Sequence, residues 1–183
     1  RGRTAVSAPR SRPRAVRPEP PGPRVFLRPP VAADRDEVLA GHHASGRLYR
    51  GLATPMRTRA QYAAYLERCH RDDACGLLVC RAEDGAIVGT VNLSQIVRGI
   101  FQSAYLGYQV FEPYAGHGYM TAAMPPVLRH VFRVLRLHRV EANIQPTNTP
   151  SIALVRRAGF TREGYSPRYL KIGGRWRDHE RWT

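Results

Sequence analysis

Two glycines separated by one residue, Gly116 and Gly118, stand where a strand-like segment meets a helix-like one. Residues 105–111 alternate as a strand does, and residues 121–135 are apolar with the pattern of a helix. A glycine turn in this position leaves backbone N–H groups free at the positive end of the helix dipole, a combination that binds phosphate or pyrophosphate. A plain tight turn needs the same glycines. The spacing matches neither the dinucleotide fingerprint nor the P-loop, so both readings remain open.

Metal and disulfide chemistry are not indicated. The three cysteines, Cys69, Cys75 and Cys80, lie close together, but none forms a Cys-x-x-Cys pair. His70 follows Cys69 without a second ligand pair at zinc spacing. The sequence therefore predicts free thiols in a reducing cytoplasm and no metal site.

The net charge of +15 is carried almost entirely by arginine, because Lys171 is the only lysine in 183 residues. Arginine favours bidentate contacts with phosphate and carboxylate groups. The charge fits an anionic cofactor, an acidic substrate surface or a ribonucleoprotein. No apolar run is long enough to cross a membrane and no signal peptide is visible, so we expect a cytoplasmic protein without a membrane partner.

Residues 1–23 are predicted to be a disordered tail rich in arginine and proline. One interpretation is a basic arm that contacts the ribosome or RNA. The other, which we favour, is an extension without a specific role. The prolines argue against an amphipathic targeting helix.

Residues 24–183 read as one α+β domain. Asp34 and Asp36 open a helix through about residue 45, and Thr58 caps a second through about residue 71. Asp84-Gly85 and Arg98-Gly99 predict the turns of a three-stranded meander. This order of elements predicts a mixed central sheet with flanking helices. The predicted strands are 25–28, 76–81, 87–97, 100–111, 139–145, 160–165 and 169–183, with a split near Gly173-Gly174, and the later helices are 121–135 and 150–158.

These elements and several short motifs resemble the GCN5-related N-acetyltransferase (GNAT) family. The similarity is strongest to its RimJ/RimL type, which acetylates the N-terminal alanine of ribosomal proteins, and to RimJ in particular. It rests on residues 92–99 followed by 105–108, on Asn148-x-x-Ser151, and on residues 159–165 with 174–179. The resemblance covers residues 24–183 and implies a mixed sheet whose middle strands splay apart.

The resemblance implies acetyl-CoA as the cosubstrate. It assigns the pyrophosphate to the backbone of the turn formed by Ala115, Gly116, His117, Gly118, Tyr119, Met120 and Thr121. It assigns the pantetheine and thioester to main-chain groups of Val110. It also implies that Asn148 contacts the cofactor and that Ser151 lies near its sulfur.

Acetyl transfer then needs a hydrogen-bond donor for the carbonyl oxygen, a group that holds or protonates the departing thiolate, and a route by which the amine loses its proton. Our candidates are the Val110 N–H for the oxygen and Ser151 for the thiolate, although Ser151 could instead satisfy backbone donors at a helix start. Glu141 is the candidate base, with Glu112 nearby, and a water chain is the alternative. Tyr105, together with Tyr108 and Tyr169, could line the acceptor pocket or simply pack in the core.

Two positions depart from the family pattern. The residue before the first glycine is Ala115 instead of glutamine or arginine, and Ala122 stands where glutamate commonly follows the threonine. Backbone phosphate binding tolerates both changes, whereas cofactor affinity and substrate orientation depend on them.

The sequence supports three hypotheses about function. The leading one is transfer of acetyl from acetyl-CoA to the N-terminal amine of a protein, in particular a ribosomal protein, by direct attack in a ternary complex. The second is acetylation of a small amine such as an antibiotic or polyamine, because one fold serves many acceptors. The third is a weakly catalytic or non-catalytic protein associated with the ribosome or RNA.

Overall fold

The computed structural model describes residues 22–183. The predicted tail, apart from Gly22 and Pro23, lies outside the described residues. The strands are β1 (Val25–Arg28), β2 (Ala74–Arg81), β3 (Ile87–Val97), β4 (Ser103–Val110), β5 (Arg139–Ile144), β6 (Arg162–Ile172) and β7 (Arg175–Trp182). The α-helices are α1 (Arg35–Ala44), α2 (Arg59–Cys69), α3 (Tyr119–Arg129) and α4 (Thr149–Arg157).

The strands form one mixed sheet in the order β1-β2-β3-β4-β5-β7-β6. β2, β3 and β4 are the predicted antiparallel meander. The pairing of β4 with β5 is parallel. The expected α+β class, the GNAT fold and the mixed sheet are confirmed.

The two central strands separate soon after they meet. β4 and β5 pair at three positions, from Ser103 with Arg139 to Tyr105 with Glu141. Beyond Tyr105, β4 continues to Val110 alongside β3 alone. This divergence is the splay that the resemblance implied, and it leaves a gap in the middle of the sheet.

Each face of the sheet has its own apolar cluster, because successive strand residues point to opposite sides. Helices α3 and α4 cover one face, where Met124 and Leu154 join a cluster with Val91, Leu106 and Ala142. We call this the α3/α4 face.

Helices α1 and α2 cover the other face, where Val38 and Tyr62 join a cluster with Leu78 and Cys80. We call this the α1/α2 face. The gap between β4 and β5 is therefore walled by packed helices on both sides.

Local signals explain the helix starts. Gln61 N–H donates to the Thr58 hydroxyl at 3.2 Å, while Thr58 N–H donates to Gln61 Oε1 at 3.1 Å, so Thr58 is the N-cap that the sequence predicted. The predicted turn at Asp84-Gly85 is also present, with Gly85 at φ +78°.

Several boundaries differ from prediction, among them the end of α3 at Arg129, after which residues 130–134 form a π-helix. Helix α3 begins at Tyr119, two residues early, because the left-handed Gly118 is its N-cap. β4 begins only at Ser103, since residues 99–102 turn with positive φ at Gly99 and Gln102. β6 does not end near residue 165 but runs to Ile172, past an irregular pairing between Ser166 and Leu170.

Within residues 22–183, no helix combines the length and the apolar character that crossing a bilayer requires. The three cysteines are unbridged. Over the same residues, no group of three His, Cys, Asp or Glu side chains converges as a metal site would require.

Candidate active site

The gap between β4 and β5 opens into a cleft of about 1090 Å³. Its walls come from both faces of the sheet, with Met120 and Leu154 on the α3/α4 face and His42 and Thr90 on the α1/α2 face. A ligand entering from one face can therefore reach a second ligand entering from the other.

One end of the cleft is built from backbone N–H groups. Gly116 and Gly118 adopt φ of +79° and +81°, which a residue with a side chain rarely accepts. The first N–H that bonds back along α3 is that of Ala122, to the Gly118 carbonyl at 2.9 Å. The preceding N–H groups of the first turn therefore have no helical carbonyl to bind and are oriented for an anion.

The structure places most of the expected cofactor residues on the cleft wall. These are Val110, Gly116, Gly118, Tyr119, Met120, Thr121 and Asn148. Ala115 and His117 do not line it. The Ala115 N–H already donates to Glu112 O at 3.1 Å, closing a short 3-10 turn, and the His117 side chain is exposed to solvent.

Val110 presents its backbone to the gap. The next residue, Phe111, donates its N–H to Val88 O at 2.8 Å on the β3 side. Since backbone groups of successive strand residues point to opposite edges, the Val110 N–H and C=O point towards β5. The C=O accepts a hydrogen bond from the Tyr49 hydroxyl at 2.7 Å. The N–H is left as a donor directed into the cleft.

Tyr49 was not predicted as a site residue, and it belongs to a segment that bridges both edges of the gap. Its hydroxyl binds β4 at Val110, while Gln145, which follows β5, donates from Nε2 to Gly51 O at 2.8 Å. Burial raises the pKa of Tyr49 to about 12, so the hydroxyl remains a donor at neutral pH. The segment between α1 and α2 thereby holds the two strands apart at a defined width.

Ser151 lies at the start of α4, and its hydroxyl does not cap the helix. The Asn148 side chain caps the helix, its Oδ1 accepting from Ser151 N–H at 3.3 Å. The Ser151 Oγ is instead 2.5 Å from the Tyr108 hydroxyl, and both residues line the cleft. Burial raises the pKa of Tyr108 to about 12, so this pair of hydroxyls has protons to donate.

Glu141 and Tyr105 do not reach the cleft. They face each other at the last paired position of β4 and β5, just before the strands separate. The Glu141 carboxylate accepts from Arg139 and Asn143, each at 3.0 Å, and the Tyr105 hydroxyl is 3.2 Å from that of Tyr169. Glu112, the other carboxylate considered, is exposed outside the cleft lining.

Over residues 22–183, the cleft lining contains no Asp or Glu, but it does contain two histidines. His42 is 2% exposed between Phe111 and Tyr49, and burial lowers its pKa to about 4. Burial also lowers the pKa of His179. Its Nδ1 lies 3.0 Å from Arg177 O, which can only accept, so Nδ1 carries the proton and Nε2 is an acceptor.

Comparison with known proteins identifies the family. Residues 24–161 match the family model described as acetyltransferase (GNAT) domain. "Probable N-acetyltransferase YjcK" of Bacillus subtilis is 33% identical over 168 residues, 87% of this chain and 92% of that protein. The "[Ribosomal protein uS5]-alanine N-acetyltransferase" of Escherichia coli is 41% identical over 97 residues, 53% of this chain and 50% of that enzyme.

Two solved structures share the fold. RimJ of Mycobacterium smegmatis in complex with CoA-disulfide has a TM-score of 0.78 at 29% identity, covering 86% of this chain and 80% of that one. A spermidine N-acetyltransferase of Vibrio cholerae in complex with CoA and spermine has a TM-score of 0.74 at 21% identity, covering 86% and 93%. Acetyl-CoA is thus the cosubstrate, and the open N–H groups and the cleft fit it.

Replacing Gly118 by alanine should weaken acetyl-CoA binding about 5- to 30-fold, because the left-handed backbone that aims the N–H groups costs a residue with a side chain about 1–2 kcal/mol. Gly85→Ala is the matched control, since Gly85 has a similar φ of +78° in a turn outside the cleft lining. Calorimetric titration of both folded variants is the measurement. Equal acetyl-CoA affinities would remove the turn from the binding site.

His42 should make the fold sensitive to acid. Its pKa of about 4 in the folded chain lies below the ordinary 6.5, because the buried ring resists protonation. The free energy of unfolding is therefore at its full value above pH 6.5 and decreases as the pH falls towards 4. Between pH 7.5 and 5 this amounts to about 2 kcal/mol. His42→Gln should lose that part of the pH dependence in urea unfolding, whereas His43→Gln, at an exposed position, should keep it. Identical pH dependence in both variants would contradict the assignment.

Proposed function

The chain belongs to the acetyltransferase (GNAT) family and is an acetyl-CoA-dependent acetyltransferase of the RimJ type, and we propose that its acceptor is the N-terminal amine of a protein. A ribosomal protein that begins with alanine is the specific candidate. The similarity to the Escherichia coli enzyme supports this choice. It spans half of each chain, so the acceptor itself remains a proposal.

The observation that carries the proposal is that no carboxylate lines the cleft within residues 22–183. A polyamine brings several positive charges, and a site for it gains from carboxylates that pair with them. Among residues 22–183, the cleft lining contains two arginines, Arg68 and Arg157, and no carboxylate. A peptide N-terminus brings one amine, which must be neutral before it attacks. The likeness to the spermidine enzyme, at 21% identity, supports the fold alone.

The residues of the chain divide the chemistry between them. When bound, acetyl-CoA supplies an activated acetyl group, whose transfer to the amine releases the thiol of coenzyme A. In this proposal the Val110 N–H donates to the carbonyl oxygen, where negative charge develops. Ser151 Oγ, supported by the Tyr108 hydroxyl, can donate a proton to the departing sulfur.

His179 is our candidate to take the amine proton, in place of Glu141. It lines the cleft, is 2% exposed and has Nε2 available as an acceptor. Glu141 is tied to Arg139 and Asn143 outside the cleft lining. A water molecule between the amine and His179 would serve the same end. Proton transfer needs a hydrogen-bond distance of about 2.6–3.2 Å between heavy atoms, either directly or through one water.

Contact with the ribosome or RNA through residues 1–23 stays a prediction, because residues 1–21 lie outside the described part of the chain. The cytoplasmic location expected from the sequence would follow from a ribosomal acceptor and stays a prediction with it.

The acceptor can be determined with a panel of peptides that begin with Ala, Ser or Met, each also prepared with a blocked N-terminus and an internal lysine, together with spermidine. Mass spectrometry after incubation with acetyl-CoA should find acetyl on the free α-amines, with alanine peptides the fastest. Acetylation of spermidine but of none of the peptides would overturn the proposal.

Ser151→Ala should lower kcat about 100-fold while acetyl-CoA affinity changes little, because a positioned proton donor acts in the transition state. Tyr108→Phe should give a smaller loss of the same kind, since it leaves Ser151 without its partner. Thr149→Ala removes an exposed hydroxyl from the same helical turn and is the control. Unchanged turnover in Ser151→Ala would leave that hydroxyl without a part in the chemistry.

A further inference from the structure

Several buried polar atoms without partners lie on one side of the cleft. Within residues 22–183, no hydrogen-bond partner is present for the Thr90 hydroxyl, the Asn143 Oδ1 or either ring nitrogen of His42. Thr90 is 1% exposed and His42 is 2% exposed, and all three residues line the cleft. A buried polar group left unpaired destabilises a fold, so such a cluster indicates a place that a ligand completes.

These groups surround the reacting position on the α1/α2 face. Thr90 pairs across the ladder with Gln109, the residue before Val110. His42 packs with its ring centroid 5.3 Å from that of Phe111, the residue after Val110. Both therefore flank the point where the Val110 N–H enters the gap.

Asn143 stands on the opposite edge of the gap. It alternates with Ala142 and Ile144, which pack on the α3/α4 face, so its side chain belongs to the α1/α2 face. Its Nδ2 donates to Glu141 Oε1 at 3.0 Å, which fixes the amide and leaves Oδ1 unpaired. The Ser151 hydroxyl, by contrast, belongs to a helix that covers the α3/α4 face. The unpartnered groups thus lie on the face opposite the one from which Ser151 acts.

We propose that Thr90, Asn143 and His42 form an uncharged subsite that binds the first residue of a peptide acceptor as its neutral amine. The inference rests on the proposed function and deepens it. Asn143 Oδ1 accepts from an N–H of the amine, and the Thr90 hydroxyl and the His42 ring bind the first peptide group. Because no carboxylate lines the cleft within residues 22–183, the subsite disfavours the ammonium form and favours the form that can attack.

Thr90 provides the sharpest test, because valine has nearly the same shape without the hydroxyl. If the hydroxyl serves only the acceptor, Thr90→Val removes an unpaired buried group and should raise Tm by about 2–4 °C. The same change should raise the KM for an alanine-first peptide about tenfold, with the KM for acetyl-CoA unchanged. A purely structural threonine would not give higher stability together with weaker acceptor binding.

Thr90→Ser is the complementary variant, since it keeps the hydroxyl and loses a buried methyl group. It should lower Tm and leave the peptide KM within about twofold of the parent. Thr161→Val, at an exposed position outside the cleft lining, should change neither quantity and is the control. If Thr90→Val does not fold, Thr90→Ser and Asn143→Ala decide the matter through the peptide KM, which only the second should raise.

The outcomes separate the two proposals. If the parent acetylates peptide N-termini and Thr90→Val leaves the peptide KM unchanged, the subsite is overturned and the proposed function stands. An equal rise in both KM values would also overturn the subsite, because it would report a general distortion of the cleft. If the parent acetylates no peptide, the proposed function fails and this peptide subsite fails with it.

Discussion

The parting of β4 from β5 after Tyr105 and Glu141 is the constraint on which the rest of the structure depends. A parallel ladder that stops in mid-sheet leaves backbone N–H and C=O groups that need other partners. At Val110 the Tyr49 hydroxyl satisfies the carbonyl and nothing from the ladder satisfies the N–H. The same divergence creates the cleft, so the reacting donor and the space for its ligand have one origin.

The gap lets two ligands meet from opposite faces of the sheet. The glycine turn, Asn148 and Ser151 line the part of the cleft nearest α3 and α4, whereas His42 and Thr90 line the part nearest α1 and α2. In our account acetyl-CoA occupies the first part and the peptide amine the second, which is the arrangement that direct attack requires. The absence of Asp and Glu from the cleft lining of residues 22–183 then shapes the chemistry, because neutral groups must receive the amine and its proton.

Local signals in the sequence predicted most of the elements and the glycine turn before α3. The Thr58 cap, the Asp84-Gly85 turn and the glycines before α3 each act over a few residues, and all are present. The contacts that complete the site join distant positions: Tyr49 to Val110, Gln145 to Gly51 and Tyr108 to Ser151. Alternation along β5 could assign Glu141 to a face, but it could not reveal where the ladder ends, which is what separates Glu141 from the cleft.

The Val110 amide allows the most direct test, through its hydrogen exchange measured by NMR in the free protein and with saturating acetyl-CoA. The account predicts rapid exchange in the free protein, because the ladder has ended, and slower exchange with acetyl-CoA at Val110, Tyr119 and Met120 together. Amides in the β2–β3 hairpin should not change. Saturation with acetyl-CoA that leaves the Val110 exchange rate unaltered would contradict the claim that this N–H faces the acetyl thioester.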